Sequence, residues 1–342
     1  MSGFNFQLHQ FSGDTRYLYS VGRLRVMEKQ LIPFQKFNRM ADRENWQGVL
    51  DELRSTTYYE RLIPVKNARM LEDAISSFLQ ERQRLIWELS LNSPLVKALL
   101  MRHDFNNLKI LLKEQWLSRK RAFPLSTLGI VEPGQLEEQF RQPHTLPPPL
   151  QDAYQIATND FQQHQSVFRG EMVVDLYYLK FVKTLFLRSK LPFLKEFIAY
   201  RIDWLNVAQL LRWRWWQPDS PPDWHLFVPG GYLNMDFFHR LWKEPPERLP
   251  ELIRFTHYGE VMAEGMEHYR QHKQLWKLEK LGEDFITAFC RLTRYASAGI
   301  EPLIAFIWVS MQELKNLHMI LIAKYMGLSP EIIKTRIRMV YE

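Results

Sequence analysis

The chain has 342 residues, of which 46% are hydrophobic and 14% aromatic, so it is long enough for a large core and for two or three domains. Charged residues make up 24% of it, which excludes general disorder. The net charge of +7 is compatible with nucleic acid, an anionic membrane surface or an acidic protein as a partner, and equally with a mildly basic soluble protein that has no such partner. The single cysteine, Cys290, excludes an intramolecular disulfide and is typical of a reducing compartment.

Apolar residues recur at three- and four-residue spacing along the whole chain, whereas strand-type alternation is scarce. This pattern predicts an all-α fold. The longest candidate for a membrane-spanning segment, residues 301–328, is interrupted by Glu313, Lys315, Asn316 and His318. No segment approaches the ~20 consecutive apolar residues that are needed to cross a bilayer. We also expect no signal peptide, because the first 20 residues lack an apolar run after a basic start. Any membrane association is therefore expected to be peripheral.

A ten-residue motif in the first part of the chain returns about 200 residues later. Residues 50–59 read LDELRSTTYY and residues 249–258 read LPELIRFTHY. Aligned on their first leucines, the two segments share L-x-E-L-x-x-x-T-x-Y, which pairs Tyr59 with Tyr258. No clear copy stands between them. The motif is the first indication of an internal repeat.

Three long predicted helices carry a second repeated pattern, at residues 93–117, 191–216 and 301–326. Each has a proline in its second position, where the missing N–H would be unpaired in any case. An acid follows ten or eleven residues later, and an asparagine follows three residues after the acid. The three sets are Pro94, Asp104 and Asn107; Pro192, Asp203 and Asn206; and Pro302, Glu313 and Asn316.

The acid and the asparagine of each set lie among apolar positions of one helix face, at i, i+4, i+7 and i+11. Buried there, they lose water and must find hydrogen-bond partners. The commonest partners are backbone groups at the end of a neighbouring helix or in a loop. Because the pair occurs three times, a structural signature is favoured over the alternative of a catalytic carboxylate.

The repeats predict three tandem helical-bundle domains, which we place at residues 1–123, 124–222 and 223–342. Proline content predicts loops at residues 143–150 and 217–224. After each long helix comes a turn-like segment, LGIVEPGQL, LFVPGGYL or GLSPEII, and each is expected to lead into another helix.

We predict no catalytic, cofactor-binding or metal-binding residues and no cofactor. The chain lacks a phosphate-binding G-x-x-x-x-G-K-[ST] loop, a G-x-G-x-x-G loop and an H-E-x-x-H motif. Glu264, His268 and His272 suggest a metal site, but their spacing is wrong for a di-metal bundle, and a solvated helix face is the preferred interpretation. Cys290 lies in an apolar helical run without an activating neighbour and is interpreted as a core residue.

The segment Arg212–Trp216, RWRWW, combines basic and aromatic residues. Such a cluster can bind single-stranded nucleic acid or a membrane surface. Because Trp213 and Trp216 are three residues apart, part of the cluster is expected to pack inside, and a local hydrophobic cluster is the preferred interpretation. The alternative for the whole chain is a basic α-helical repeat protein that binds nucleic acid, with binding that weakens steeply with salt.

Three regions together resemble a known family. They are YLYSVGRLRVMEKQLI at residues 17–32, DFNNLKILLK at residues 104–113, and the ending AGIEPLIAFIWVSMQELKNLHMILIAKYMGLSPEIIKTRIRMVYE at residues 298–342. In these regions and over nearly its whole length, the chain is similar to the C subunits of archaeal and bacterial V-type (A-type) ATP synthases, whose eukaryotic relative is the V-ATPase d subunit.

The resemblance implies a wholly helical protein with three similar domains around a pseudo-threefold axis, arranged as a funnel. It implies a non-enzymatic socket, peripheral on the cytoplasmic face of the membrane. One side would sit on the membrane rotor ring of proton- or sodium-carrying subunits, and the other would receive the central rotor shaft, so that torque passes between them. No small-molecule substrate and no nucleic acid partner are expected. The coupling ion and the direction of ATP turnover stay open.

Overall fold

The computed structural model describes residue 6 and residues 10–121 and 124–341. Within these residues the chain forms seventeen α-helices and five short 3-10 helices, and it forms no β-strand. The predicted all-α fold is confirmed. In the described part of the chain, no helix is both long enough and apolar enough to cross a membrane.

The α-helices are numbered in chain order. They are α1 (Leu18–Glu28), α2 (Phe34–Asp42), α3 (Trp46–Leu53), α4 (Tyr59–Leu62), α5 (Ala68–Leu89), α6 (Pro94–Leu100), α7 (Arg102–Leu117), α8 (Pro133–Arg141), α9 (Pro148–His164), α10 (Val167–Arg188), α11 (Pro192–Trp216), α12 (Met235–Lys243), α13 (Leu249–Arg254), α14 (Gly259–His272), α15 (Trp276–Cys290), α16 (Glu301–Tyr325) and α17 (Pro330–Arg336). The 3-10 helices are Thr15–Tyr17, Pro143–Thr145, Trp224–Leu226, Pro246–Arg248 and Arg291–Tyr295.

The longest helices lie deepest in the molecule. In α16, 19 of the 25 residues are buried, and in α11, 15 of 25 are buried. A helix that is buried on nearly all sides packs in the interior of a protein rather than on its surface. These two helices therefore form the framework around which the shorter helices are arranged.

Two hydrophobic cores divide the molecule, and α5 and α16 run through both. The larger core includes residues of α1, α6, α7, α9–α11 and α13–α15, with α16 contributing as far as Val309. The smaller core is formed by α2–α4, the first half of α5, α17, and α16 from Leu314 onward. The helices near the amino terminus thus pack against the last long helix of the chain.

The three repeated prolines all lie in the first turn of their helices, α6, α11 and α16. A residue with positive φ precedes each proline by two or three positions. These residues are Asn92 (φ 58°), Lys190 (φ 59°) and Gly299 (φ 101°). Residues other than glycine rarely adopt positive φ, so the first two segments start from a similar and uncommon turn, whereas a glycine provides the positive φ before the third.

Two predicted elements differ from the structure. The stretch 93–117 is divided at Met101, where ψ is −11°, so the proline belongs to α6 and the acid–asparagine pair to α7. Backbone hydrogen bonds still cross the division, since Met101 N–H donates to Lys97 at 2.9 Å. The predicted loop at residues 143–150 is wrong at its end, because α9 begins at Pro148, which provides a preset φ for its first turn.

Only some of the predicted domain boundaries fall within the described residues. Residue 123 lies outside them, as do residues 1 and 342. The boundary between residues 222 and 223 falls in the connection between α11 and α12. The three turn-like segments that follow the long helices do lead into helices, α8, α12 and α17. The boundaries themselves stay a prediction.

Candidate functional site

The first acid–asparagine pair binds the loop between α7 and α8. Asn107 and Ser126 exchange two hydrogen bonds: the asparagine amide donates to the Ser126 carbonyl at 2.8 Å and accepts from its N–H at 2.8 Å. The Asp104 carboxylate accepts from the N–H groups of Ile130 (2.8 Å) and Val131 (3.0 Å). Both polar side chains are fully buried. We use the word clasp for an acid and an asparagine of one helix that bind backbone groups outside that helix.

The second pair repeats the arrangement on the loop before α12. Asn206 donates to the Val228 carbonyl at 2.8 Å and accepts from its N–H at 3.1 Å. Asp203 accepts from the N–H of Tyr232 at 2.7 Å and from that of Leu233 at 3.1 Å. In both clasps the acid binds the backbone four and five residues after the residue that the asparagine holds. The two loops therefore follow the same path over their helices.

The third pair shares the asparagine contact but not the acid contact. Asn316 donates to the Arg338 carbonyl at 3.0 Å and accepts from its N–H at 2.8 Å. The Glu313 carboxylate instead accepts from the N–H of Ile32 at 2.6 Å, in the turn between α1 and α2. The backbone donor to this acid therefore comes from a segment 281 residues before it in the chain.

A tyrosine completes the second and third clasps. Tyr258 O–H donates to Asp203 at 2.6 Å, and Tyr58 O–H donates to Glu313 at 2.7 Å. The structural register therefore pairs Tyr58 with Tyr258, so the sequence alignment that paired Tyr59 with Tyr258 is wrong by one residue. The two copies of the motif share a threonine whose hydroxyl donates to the carbonyl three residues before it. In both copies the clasp tyrosine follows that threonine by two residues.

Arg82 adds a cation to the third clasp. It lies on α5, forms an ion pair with Glu313 and also donates to the Tyr58 hydroxyl. Its guanidinium stands over the Tyr58 ring, 5.5 Å from the centroid. The Glu313 side chain is 2% exposed. A single buried carboxylate on α16 thus binds the α1–α2 turn, the α3–α4 turn and α5 together.

Glycines allow the first two clasps to close. A Cβ added to Gly129 would lie 2.0 Å from the Asp104 Oδ1, and one added to Gly231 would lie 1.9 Å from the Asp203 Oδ1. Neither glycine has a positive φ. The requirement at both positions is therefore space for the carboxylate and not an unusual backbone conformation. The sequence showed these glycines in the turn-like segments but not their role.

Burial and hydrogen bonding act on the clasp carboxylates in opposite directions. Burial raises the pKa of Asp104 to about 6, although the N–H groups of Ile130 and Val131 act to lower it. Burial also raises the pKa of Asp203 to about 6, against the hydrogen bond from Tyr258. The cost of desolvation therefore exceeds the stabilisation of the charge by its donors.

Two further buried carboxylates, which do not belong to the acid–asparagine pairs, hold the two ends of the described chain. Glu301, the first residue of α16, accepts from the backbone N–H and the hydroxyl of Ser12 at 2.7 and 2.8 Å. Asp284 on α15 accepts from the Met339 N–H at 2.6 Å. Their partners lie up to 289 residues away, so no local pattern could have indicated them.

The residues considered as metal ligands or as a nucleophile do not form such a site in the described part of the chain. On α14, Glu264 forms an ion pair with Lys277 at 2.8 Å, and the rings of His268 and His272 lie 4.6 Å apart. In the described part of the chain, no three histidine, cysteine, aspartate or glutamate side chains are grouped as metal ligands. Cys290 is fully buried, and this burial raises the pKa of its thiol.

Both arginines of the Arg212–Trp216 cluster bind other groups of the same chain. Arg214 donates to three carbonyl oxygens at the end of α12, at 2.6–2.7 Å, and so caps that helix. Arg212 pairs with Glu279. Trp213 is buried, while Trp215 is 72% exposed. This geometry favours local packing over a basic surface for nucleic acid.

A family model described as "ATP synthase (C/AC39) subunit" matches residues 20–336. The chain belongs to this family. C/AC39 subunits are non-catalytic parts of the rotary ATPase, and the resemblance drawn from the sequence is confirmed. The chain is accordingly a subunit of a membrane-associated V/A-type ATPase, and its partners are other subunits of that complex.

Several C subunits of known rotary ATPases share 24% identity with the chain. That of the A-type ATP synthase of Methanocaldococcus jannaschii aligns over 345 residues, covering 93% of this chain and 85% of that protein. That of the V-type sodium ATPase of Enterococcus hirae aligns over 328 residues, covering 93% and 97%. That of the A-type ATP synthase of Thermococcus kodakarensis aligns over 339 residues, covering 94% and 90%.

Substitution of the clasp glycines should destabilise the fold. We expect Gly129→Ala and Gly231→Ala each to lower the free energy of unfolding by about 2 kcal/mol or more, because the new methyl group displaces a buried carboxylate from its donors. Gly22→Ala is the matched control: no atom lies within 4 Å of its added Cβ, and alanine is the better helix former. Urea unfolding followed by circular dichroism measures all three. Equal effects at the three positions would contradict the clasp.

Removal of the clasp tyrosine hydroxyls tests the structural register. Tyr58→Phe and Tyr258→Phe should each cost about 1–3 kcal/mol of unfolding free energy, because a buried carboxylate loses a donor. The neighbouring Tyr59→Phe should change it by less than about 0.5 kcal/mol. Thermal and urea unfolding of the three variants provide the comparison. A larger loss for Tyr59→Phe than for Tyr58→Phe would restore the register predicted from the sequence.

The raised pKa of Asp104 predicts a pH effect of definite sign. The folded chain holds this proton up to about pH 6, whereas the unfolded carboxyl releases it near its ordinary value of 3.8. The group therefore favours the folded state increasingly as the pH falls from 7 toward 4. Between pH 7 and pH 5, the unfolding free energy of the parent chain should rise by about 1 kcal/mol relative to that of Asp104→Asn. An unchanged or opposite difference in urea titrations would contradict the raised pKa.

Proposed function

We propose that this C/AC39 subunit is the socket of a V/A-type rotary ATPase. It joins the central rotor shaft to the membrane rotor ring and transmits torque for ATP-linked proton or sodium transport. The relatives of this chain are named as A-type ATP synthase and V-type sodium ATPase subunits, which supports the assignment to such a motor. The observation that carries the proposal is the set of buried clasps, which fasten the loops to the long helices.

Torque transmission requires resistance to shear, and buried polar clasps supply it in a way that apolar packing alone does not. Apolar contacts are non-directional, whereas hydrogen bonds fix both distance and orientation. In the third clasp, Glu313 binds Ile32, Tyr58 and Arg82 from three separate segments. A body that is held in this way can turn as one piece when its two faces are loaded by different partners.

The repeated features support a pseudo-threefold funnel of three helical domains, at residues 1–123, 124–222 and 223–342. Each domain would supply one long acid–asparagine helix, and two of the three clasps bind their loops at the same sequence offset. The third acid takes its backbone donor and its tyrosine from the amino-terminal segment. This exchange would close the three copies into a ring and present similar faces to a ring of identical subunits.

We place the subunit peripherally on the cytoplasmic face of the membrane, as part of the complex. Its net charge of +7 supports a position close to anionic lipid headgroups or acidic ring loops. Its specific partners in this proposal are the subunits of the central shaft and of the rotor ring.

The test is coupling in sealed membrane vesicles that carry the whole complex. Vesicles with the complete complex should link ATP hydrolysis to the uptake of either H⁺ or Na⁺, each measured separately. Vesicles that lack this chain should still hydrolyse ATP in the head but accumulate neither ion. Adding back the purified chain should restore uptake, and the Gly22→Ala variant should restore it equally well.

A weakened third clasp should have an intermediate effect on coupling. With Glu313→Gln, Arg82 loses its buried counter-charge, and we expect fewer ions moved per ATP, even under conditions where the chain stays folded and bound. Companion subunits can be verified by affinity purification from detergent-solubilised membranes. Full coupling in vesicles without this chain would overturn the proposal.

A further inference from the structure

A cavity of about 210 Å³ lies where α7, α11, α15 and α16 approach one another. Its walls come from widely separated parts of the chain, including the segment after α17. Five cationic side chains line it: Arg102, Arg201, Arg212, Lys315 and Arg338. Only two carboxylates, Glu279 and Glu283, line it as well. The walls of the cavity thus carry three more positive charges than negative ones.

Both carboxylates are already engaged by cations. Glu283 accepts from Lys315 and from Arg338, so one negative charge is shared between two positive ones. Glu279 pairs with Arg212 at the exposed edge of the cavity. Within the described residues, neither Arg102 nor Arg201 forms an ion pair. The excess positive charge is therefore concentrated at the positions of these two arginines.

Arg201 is held in place by aromatic rings instead of by an acid. Its guanidinium stands over Trp308 and Phe197, at 5.6 and 5.8 Å from the ring centroids. Burial lowers the pKa of this guanidinium; the Tyr178 hydroxyl acts to raise it, and the positive charge of Arg102 acts to lower it. A partly buried cation without a counter-ion is electrostatically unfavourable. An anion between the two arginines would remove this cost.

The clasps account for the position of both arginines. Arg102 precedes Asp104 by two residues, and Arg201 precedes Asp203 by two residues. Two residues correspond to about 200° around an α-helix, so each arginine points away from the face that holds the clasp. Each clasp fixes the rotation of its helix against an outer loop, and the arginine is thereby directed inward. In the third copy the same position is Met311, which carries no charge.

Another wall residue has an unused hydrogen-bond donor. Trp204 lines the cavity, and its indole N–H is buried without a hydrogen-bond partner in the described part of the chain. Buried donors of this kind are rarely left unpaired. Gly282 lets α15 pack closely against this ring, since a Cβ there would lie 2.7 Å from Trp204.

We propose that this cavity binds a phosphate-class oxyanion, with Arg102 and Arg201 as its principal ligands. Guanidinium groups present two parallel N–H donors that match two oxygens of a phosphate group, and such charge-assisted pairs are strong. The phosphate group belongs either to a free solute or to the headgroup of an anionic lipid. Nothing in the socket function requires this site, so its presence and the coupling role are independent questions.

The experiment uses the full purified chain and two kinds of probe. Inorganic phosphate and pyrophosphate, compared with chloride at equal ionic strength, serve as free solutes in calorimetric titrations and thermal unfolding. Vesicles of phosphatidylcholine, with and without phosphatidylglycerol, serve as the lipid probe in flotation assays. The variants are Arg201→Gln and Arg102→Gln, and the matched control is Arg23→Gln, which removes an exposed charge from α1.

We expect saturable binding of at least one probe, weakened tenfold or more by Arg201→Gln and by Arg102→Gln and less than twofold by Arg23→Gln. Without added anion, Arg201→Gln should unfold at the same temperature as the parent chain or higher, because it removes an unpaired buried cation. Binding of pyrophosphate identifies a free solute, and binding of phosphatidylglycerol vesicles alone identifies a headgroup. Binding of neither probe, or equal binding by all variants, would overturn the proposal.

Discussion

The buried carboxylate of Glu313 is the constraint on which the rest of the architecture depends. It lies in the middle of α16 and holds the α1–α2 turn, the α3–α4 turn and α5 through Ile32, Tyr58 and Arg82. Without these contacts, apolar packing and two more exposed pairs, Lys334 with Asp42 and His318 with Glu72, would join the beginning and end of the chain in the smaller core. Removing one partner of a buried ion pair costs about 3–5 kcal/mol, which is a large fraction of the stability of a typical domain. The directional contacts therefore fix how the amino-terminal helices sit on the last long helix.

The same chemistry recurs at Asp104 and Asp203 with simpler partners. Both acids bind consecutive backbone N–H groups, and an asparagine one turn later holds the loop at a second point. Two points of attachment prevent a loop from pivoting, as a single hydrogen bond would allow. Because a charged carboxylate is costly to bury, its value lies in geometry more than in stability. That property suits the torque-transmitting role that we propose for this non-catalytic subunit. The inward direction of Arg102 and Arg201 is a second consequence of the same attachments.

The fold class, the family and the acid and asparagine of each clasp could be predicted from the sequence, because they depend on local periodicity and short motifs. The groups that hydrogen-bond to these side chains could not be predicted. Glu313 and Ile32 are 281 residues apart, so only the folded chain brings them together. The tyrosine register was wrong by one residue, because two threonines and two tyrosines stand side by side at residues 56–59 and allow two alignments of the motif. The division at Met101 was missed because its backbone departs little from the helix. Arg102 and Arg201 were visible two residues before their acids, but their convergence requires the tertiary structure.

Hydrogen–deuterium exchange of the unmodified chain measures whether the buried carboxylates make these loops as rigid as the helices they cover. The informative amides are those of Ile32, Ile130 and Tyr232, which lie outside regular helices and donate to Glu313, Asp104 and Asp203. We expect these amides to exchange as slowly as those in the middle of α16, through global unfolding. Exchange within seconds, at the rate of exposed loops, would contradict this expectation.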